Sequence, residues 1–548
     1  MDTIAALLLE RADDPRPALL FEHESFSWTE FVRAAAGRGR LALEWRRPGP
    51  FHVGVLLDNV PDYLFWIAGA ALVGATVVGI NPTRRGAELA RDIEHTDCQL
   101  VITDRDHIHV VEGLDMGVPP ERVHVVDGEG YLDALNATDS GIPSVPVKAD
   151  DVLLLLFTSG STAAPKAVIC SQGRLARIAG RIPGLYDITP TTTTYNAMPL
   201  FHGNALMANW VGVLKMGATF AMRRRFSASG FLPDVRRFEA SFFNYVGRAL
   251  AYVLATPEAP DDADNPLRLG FGNEASTRDR ERFTTRFGCR LIESYGASEG
   301  AIAIGWAPGA PSGSLGRPLH GEDVVVADPS TGKECPRAEI DSDGRLVNAG
   351  EAIGELVGRN VAERFEGYYD NPEADAQRLR PGGYWSGDLG YRDADGWFYF
   401  AGRSSDWMRV DGENFSAGPV EAILGTYPPA VMAAVYPVPD PRTGDDVMAA
   451  LELSPGQRFD PEDFGRFLAE HPDLGTKWAP RYVRIVEHMP LTATNKVHKP
   501  PLRAARWETG DPVYWRPERD VDYRLLTEAD RTQLRARLVE HDRDRTLI

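Results

Sequence analysis

Four apolar, β-branched runs punctuate the first third of the chain: FHVGVLL (51–57), ATVVGI (75–80), CQLVITD (98–104) and VLLLLFTSG (152–160). Each is short, bounded by polar or turn-forming residues, and reads as a buried strand. Helical patterns lie between them, and the alternation continues to about residue 250, which predicts an α/β domain with largely parallel sheets. The longest apolar region, YLFWIAGAALVGATVVGI (63–80), is broken by glycines and closes on an Asn-Pro turn. It reads as a buried helix followed by a strand, not as a membrane span. After about residue 310 the texture changes to short glycine-rich strands, GELVG (354–358) and then GYRDADGWFYFAGR (390–403), where DADG turns one half-buried strand into the next. The remaining segments VEAILGTY, VMAAVYPV, DVMAALEL, FGRFLAEH and RYVRIVEHM mix both periods and predict a small α+β domain. The boundary falls near Gly402 to Asp406, where the hairpin ends and a polar GRSSD follows.

Length agrees with this division, since 548 residues exceed one ordinary core. The net charge of −19 disfavours a nucleic-acid partner, which needs a basic face. The one local basic run, Arg223 to Arg225 with Arg236 and Arg237 nearby, reads as a solvated edge, with a phosphate clamp as the alternative. Four scattered cysteines, Cys98, Cys170, Cys289 and Cys335, form no C-x-x-C pair. They predict neither a disulfide framework nor a zinc site and fit a cytoplasmic protein. The opening MDTIAALLLERADD is neither a secretory signal nor a span, so no integral membrane segment is expected. A homodimer is compatible with the sequence.

Candidate chemistry lies in five stretches. FTSGSTAAPK (157–166) leaves the end of a strand with Thr158, Ser159, Gly160, Ser161 and Thr162 as donors and Lys166 as charge, a geometry that suits polyphosphate. It is not the common nucleotide loop G-x-x-x-x-G-K-[ST], and a helix is expected from about Ser171. IESYGASEG (292–300) ends a strand in Tyr295 and Gly296, then offers Ser298 and Glu299: an aromatic face to stack a base, a hydroxyl for phosphate, a carboxylate for Mg²⁺. In YWSGDLGY (384–391), Asp388 can accept from a ribose diol. AGRSSDWMRVDGENFSAGPVEAIL (401–424) carries Arg403, and PLTATNKVHK (490–499) carries Lys496. Only seven of the 59 basic residues are lysines, and Lys166 and Lys496 are two of them. Taken singly each residue has a bland reading, such as a turn former for Asp388, a helix cap for Glu299 or a surface ion pair for Arg403. The order and spacing of all five stretches outweigh it.

The chain resembles the adenylate-forming superfamily of acyl-CoA synthetases, luciferases and peptide-synthetase adenylation domains over nearly its whole length. TSGSTAAPK is similar to the family's phosphate loop, YGASE to Y-G-x-T-E, SGDL to its ribose motif, GRSSD to its hinge and PLTATNK to its catalytic-lysine loop. DGENFSAGPVEAIL and GDPVYWRPERDVDYRLLTEAD (510–530) resemble the fatty-acid-transport-protein and very-long-chain acyl-CoA synthetase subgroup. The resemblance implies a large N-terminal domain (1–403) of layered α/β subdomains with a small β-barrel-like part, a hinge (404–405) pivoting on Ser405, and a small mobile α+β C-terminal domain (406–548).

It also implies a two-step reaction with ATP, Mg²⁺ and CoA. A carboxylic acid attacks the α-phosphorus, pyrophosphate leaves, and the acyl-adenylate meets the CoA thiol. On this reading Thr158 to Thr162 and Lys166 hold the β and γ phosphates, Glu299 holds Mg²⁺ and Ser298 touches the α-phosphate. Tyr295 stacks on adenine, with Gly272, Asn273, Glu274 and Ala275 along its other edge. Asp388 and Arg403 grip the ribose, and Lys496 bridges carboxylate and α-phosphate. In the second step the loop around Arg409 to Asn414 lines the CoA path. PLFHGNALMANW (199–210) is similar to the segment beside the acyl group, placing His202 near the carboxylate, with Asn204, Met207, Trp210, Tyr245, Val246, Gly247 and Gly270 as walls. Two departures from the family pattern are Ala163 in the phosphate loop, strained if φ is positive there, and Asn495 before Lys496, a milder change. The expected function is an ATP-dependent acid–CoA ligase for a fatty or other hydrophobic acid. The alternatives are transfer to a carrier thiol or an amine, an unusual oxyacid such as nitrite, and a lipid-binding, transport-assisting protein.

Overall fold

A computed structural model describes residues 2–540 other than 139–140, 159–165, 247–248, 274, 276, 312, 342–345, 404–406, 411–412, 441–444, 472–473, 475–477, 493–495 and 518–521. The four apolar runs form the strands His52–Leu56, Thr76–Gly79, Cys98–Thr103 and Val152–Phe157. They lie parallel in a six-stranded sheet, with Val123–Val125 at one edge and Ala167–Ser171 antiparallel at the other. Their burial on both faces explains why the sequence shows continuous runs instead of alternation. A nine-stranded sheet holds Thr193–Asn196, Thr219–Met222, Phe242–Asn244, Leu269–Gly272 and Arg290–Gly296 in its parallel centre.

One hydrophobic core runs between these two sheets and includes the helices Trp28–Trp45 and Pro61–Val73. The second is apolar all round, starts on Pro61 at its first position and stops at Gly74 in the left-handed region (φ 68°). The two helices touch backbone to backbone: a Cβ on Gly69 would stand 2.5 Å from the Ala35 carbonyl oxygen. No helix among the described residues is long and apolar enough to cross a membrane.

The small β part is antiparallel, with Val324–Ala327, Gly354–Gly358, Gly383–Arg392 and Phe398–Arg403 paired in that order. Beyond it, Ala430–Pro439, Asp445–Leu453, Tyr482–Val486, Val513–Trp515 and Arg524–Leu525 make a separate five-stranded sheet. That sheet is covered on both faces: Tyr427, Phe464 and Leu468 belong to one core, Trp507, Leu534 and Leu538 to the other. Among the described residues, side chains of the larger unit reach this one. Arg278 Nη1 donates to the carbonyls of Gly425 (3.4 Å) and Thr426 (3.2 Å), and the Tyr252 hydroxyl lies 3.9 Å from Met432 Sδ. The expected hinge at 404–405, Ser405 included, lies outside the described residues.

Two local readings are refined. The stretch after VLLLLF returns as the strand Ala167–Ser171 before the helix Gln172–Tyr186 begins, so the phosphate-loop sequence joins two antiparallel strands. The arginine run is consumed locally: Arg223 pairs with Asp234, Arg224 with Glu22, Arg225 with Asp58 and Arg236 with Asp261. This is the solvated edge and not the clamp.

One buried acid carries a stability prediction. Asp92, on helix Gly86–His95, is 1% exposed, and burial raises its carboxyl to about 6 despite Arg84 at 3.0 Å. Since the unfolded value is about 3.9, the native state binds its proton more tightly, and stability is lost as pH rises from about 4 to 6. Asp92→Asn is expected to be more stable than wild type by up to about 2 kcal/mol at pH 7 and by nothing at pH 4, as read by urea unfolding at both pH values.

Candidate active site

Some of the expected site residues, Lys166, Glu299, Tyr295 and Asp388 among them, lie close together where segments of three sheets meet. Lys166 opens the strand Ala167–Ser171 of the six-stranded sheet. Glu299 follows the strand Arg290–Gly296 of the nine-stranded sheet. The segment 366–369, from the small β part, pairs along Ala167–Ser171: Ile169 N–H donates to the Gly367 carbonyl (3.1 Å), Tyr369 N–H to that of Ala167 (2.8 Å), and Ser171 is held through its N–H (2.7 Å) and hydroxyl (2.6 Å) by Glu366.

At this seam Lys166 is 9% exposed and its Nζ donates to Gln377 Oε1 at 3.2 Å, 5.9 Å from the centre of the Tyr368 ring. Burial, and then the charge of Arg378, holds its ammonium below the usual lysine range, while Glu299 pulls the other way. Glu299, 5% exposed, accepts the Tyr368 hydroxyl at 2.6 Å on Oε1, with Arg378 Nη2 at 3.9 Å from the same oxygen. Burial and this carboxylate push the Tyr368 phenol up. Arg378 continues the chain: its Nε donates to the Tyr368 hydroxyl (3.1 Å) and its Nη1 to the carbonyls of Trp385 (3.5 Å) and Ser386. Ser386 Oγ in turn accepts from the Asp388 N–H at 3.1 Å, and the Asp388 carboxylate accepts the Tyr295 hydroxyl at 2.8 Å. Arg403 stands opposite Asp388 in the strand register. Lys166, Glu299, Tyr295, Asp388 and Arg403 are thus neighbours in one network or one register.

The other residues flank it. The Ser298 carbonyl accepts from Arg174, whose Nη1 also holds the Ile169 carbonyl at 2.8 Å, while Gly296 is exposed. Thr158 is pinned by its N–H to the Lys166 carbonyl at 3.1 Å. A Cβ built on Gly203 would lie 3.2 Å from Ser298 Oγ and 3.6 Å from Met207 Sδ, which puts His202, Gly203, Asn204 and Met207 on the side of Ser298. Gly272 packs flat on the Tyr245 ring, and Gly270 between Leu291 and Phe243, positions a side chain would fill. Asn273 is partly buried; the Ala275 N–H and the Tyr245 hydroxyl both donate to Glu293 Oε1, at 2.9 Å and 3.1 Å. Val246 and Trp210 are both buried in the N-terminal hydrophobic core.

Lys496 sits in a tight loop of the C-terminal unit: Leu491 pairs with Val497, Thr492 N–H donates to the Lys496 carbonyl (2.7 Å), and Lys496 N–H to Thr492 Oγ1 (3.1 Å). These bonds are internal to the loop and do not join Lys496 to the seam. Ser159, Gly160, Ser161, Thr162, Gly247 and Glu274 lie outside the described residues. Sequence reasoning missed Tyr368, Gln377, Arg378, Arg174 and Glu293. Three of them, Tyr368, Gln377 and Arg378, lie in GYYDNPEADAQRLR (367–380), between GELVG and SGDL, a stretch not singled out from the sequence.

The AMP-binding enzyme family model matches residues 10–369, and the model of its C-terminal domain matches 419–496. The chain is 50% identical over 548 residues to "Steroid-22-oyl-CoA synthetase" of Rhodococcus jostii, covering all of this chain and 99% of that one. It is 44% identical over 523 residues to "Medium/long-chain-fatty-acid--CoA ligase FadD17" of Mycobacterium marinum, covering 94% and 99%. Its fold is similar to that of the anthranilate CoA ligase AuaEII solved with anthranoyl-AMP, with a TM-score of 0.80, 22% identity, and coverage of 92% and 97%. A seam of three sheets carrying the family's motifs, and a match that runs from the first sheet into the last, have one reading: the chain belongs to the AMP-binding enzyme family.

Proposed function

We propose that the acid activated here is a large hydrophobic one with a steroid-like body, handled in the cytoplasm. The chain is an ATP-dependent, AMP-forming acid–CoA ligase: it activates a fatty or other hydrophobic carboxylic acid as acyl-AMP, releases pyrophosphate and forms acyl-CoA. Identity over the full length favours the steroid-type acid over a plain chain. Within the site, the observation that carries the reading is the chain Lys166–Gln377, Tyr368–Glu299, Arg378–Ser386 and Asp388–Tyr295, which sets a cation, a buried carboxylate and a ribose acceptor along one seam.

Mg²⁺ fits Glu299. Oε1 is taken by Tyr368 and Arg378, while no described residue bonds Oε2, which is left for a hard cation. Among the described residues no cluster of three His, Cys, Asp or Glu could hold a metal by itself, in keeping with an ion carried in largely by ATP phosphates and water. Glu299 would hold the ion there, and the ion would supply positive charge to the phosphates. Lys166, with the loop from Thr158 to Thr162, holds the outer phosphates. Ser298 meets the α-phosphate, Tyr295 and the Gly272 to Ala275 segment flank adenine, and Asp388 with Arg403 takes the ribose. His202 and Lys496 serve the carboxylate. Residues 1–403 form the adenylating domain and 406–548 a lid that pivots at 404–405.

The test is pyrophosphate release across acetate, aromatic, medium- and long-chain, steroid-22-oic acids and nitrite, each with and without CoA. The expected result is release with the steroid acid and a matching acyl-CoA by mass. Preference for an unbranched fatty acid would move the substrate class, and release without any thioester would overturn the acceptor.

A further inference from the structure

Three buried or half-buried asparagines form a directed relay beside the site. Asn209 Nδ2 donates to Asn244 Oδ1 at 2.8 Å, and Asn244 Nδ2 donates to Asn204 Oδ1 at 2.7 Å. Asn209 is 0% exposed and Asn244 3%, whereas Asn204 is only partly buried. The arrangement depends on a local irregularity. Residues five apart in an α-helix point roughly 140° away from each other. The stretch Leu206–Trp210 is instead wound as a π turn, closed by Val211 N–H on the Leu206 carbonyl. The wider turn lets Asn204 and Asn209 grip the same Asn244. Single π turns of this kind are frequent at functional sites.

The direction of the relay is fixed at its buried end. Asn209 Nδ2 also faces the Tyr195 carbonyl at 3.5 Å, so a flipped amide would set oxygen against oxygen. Holding this direction leaves Asn209 Oδ1 buried with no partner, a cost that a merely space-filling amide would not carry. Each amide therefore passes its donor end outward, the aligned dipoles strengthen one another, and the last donor, Asn204 Nδ2, has no acceptor among the described residues. Asn204 follows Gly203 in the chain, and a Cβ built on Gly203 would lie 3.2 Å from Ser298 Oγ.

We propose that Asn204 donates through Nδ2 to the carboxylate of the acid as it attacks the α-phosphorus, and that Asn244 and Asn209 are positioning residues that keep that donor, not the amide oxygen, turned to the substrate. The proposal rests on the ligase reading above and on the place given there to Ser298. A preset donor at this point favours an anionic oxygen and repays little to a neutral acid derivative.

The experiment measures pyrophosphate formation with the full chain, separating kcat and KM for acid and for ATP. Asn204→Ala is expected to lower kcat/KM for the acid about 100-fold, the lower end of the scale of one lost oxyanion donor, with KM for ATP within about twofold of wild type. Asn204→Asp, nearly the same shape but presenting an acceptor, is expected to fall below the alanine variant and to recover as pH drops toward protonation of the new carboxyl. Asn244→Leu, which keeps Asn204 but frees it to turn, is expected to lie between alanine and wild type. Near-wild-type kcat/KM in both Asn204 variants, or acid and ATP affinities falling together with Tm, would overturn the relay while leaving the ligase intact. Wild-type enzyme that forms no pyrophosphate with any acid would overturn the ligase reading, and the relay with it.

Discussion

Lys496→Ala is expected to lose adenylation by about 10²–10³-fold while leaving thioester formation from a supplied acyl-adenylate within a few-fold of wild type. Around Lys496, Thr492 N–H donates to the Lys496 carbonyl, Lys496 N–H donates to the Thr492 side-chain hydroxyl, and Leu491 pairs with Val497. None of these bonds uses the lysine side chain. In the first step two anions, the carboxylate and the α-phosphate, must come together, and a positioned ammonium offsets their repulsion as charge builds in the transition state. In the second step the adenylate already exists and that repulsion is gone. ATP–pyrophosphate exchange reads the first step, and acyl-CoA made from synthetic acyl-adenylate reads the second. Equal losses in both would contradict the assignment.

Glu299→Gln comes next, with an expected loss of about 10²-fold in kcat and a raised Mg²⁺ requirement. The amide keeps the shape, and its Oε1 can still accept the Tyr368 hydroxyl, now 2.6 Å from the carboxylate. Arg378 retains the carbonyls of Trp385 and Ser386. What disappears is one negative charge beside the metal's expected place and beside Lys166. That second neighbour gives the variant a signature a structural defect would lack. Glu299 is the group that raises Lys166 against burial and Arg378. Without it the ammonium loses its proton at lower pH, so the alkaline limb of the pH–rate profile moves toward neutrality. A kcat loss with an unmoved alkaline limb would separate Glu299 from Lys166, and an unchanged Mg²⁺ dependence would remove the metal assignment.

How much of this was legible depends on the range over which each feature is decided. Val152–Phe157 and Thr76–Gly79 are buried on both faces, so their apolar runs announced them. Ala167–Ser171 did not stand out, because five residues after a loop give too short a run, and its partner segment at 366–369 is some two hundred residues away. Lys166, Glu299 and Asp388 could be singled out because each sits in a compact stretch of unusual composition. Tyr368 and Gln377 reach the site through partners far away in sequence, and Arg378 through the Tyr368 hydroxyl and the Ser386 carbonyl, links that no local pattern records. The asparagine relay is invisible for a third reason. It needs a π turn, and helical periodicity would send Asn204 and Asn209 to different faces. The arginine run, conspicuous as a charge cluster, was each time spoken for by a nearby acid.

The seam of three sheets has a thermodynamic consequence. Lys166 adjoins the six-stranded sheet, Glu299 follows a strand of the nine-stranded sheet, and Arg378 ends the short helix Pro372–Arg378; the Tyr368 phenol and the Gln377 amide link them. On the proposed assignment of the site, a nucleotide seated there would contact segments from each of these parts, and its binding would favour the state in which they stay together. Its binding energy is then shared by the fold as a unit. At a hundred times Kd, mass action adds about 2.7 kcal/mol to the native state. The cell's ATP pool would in this way act as a structural ligand of the resting enzyme, protecting it between turnovers.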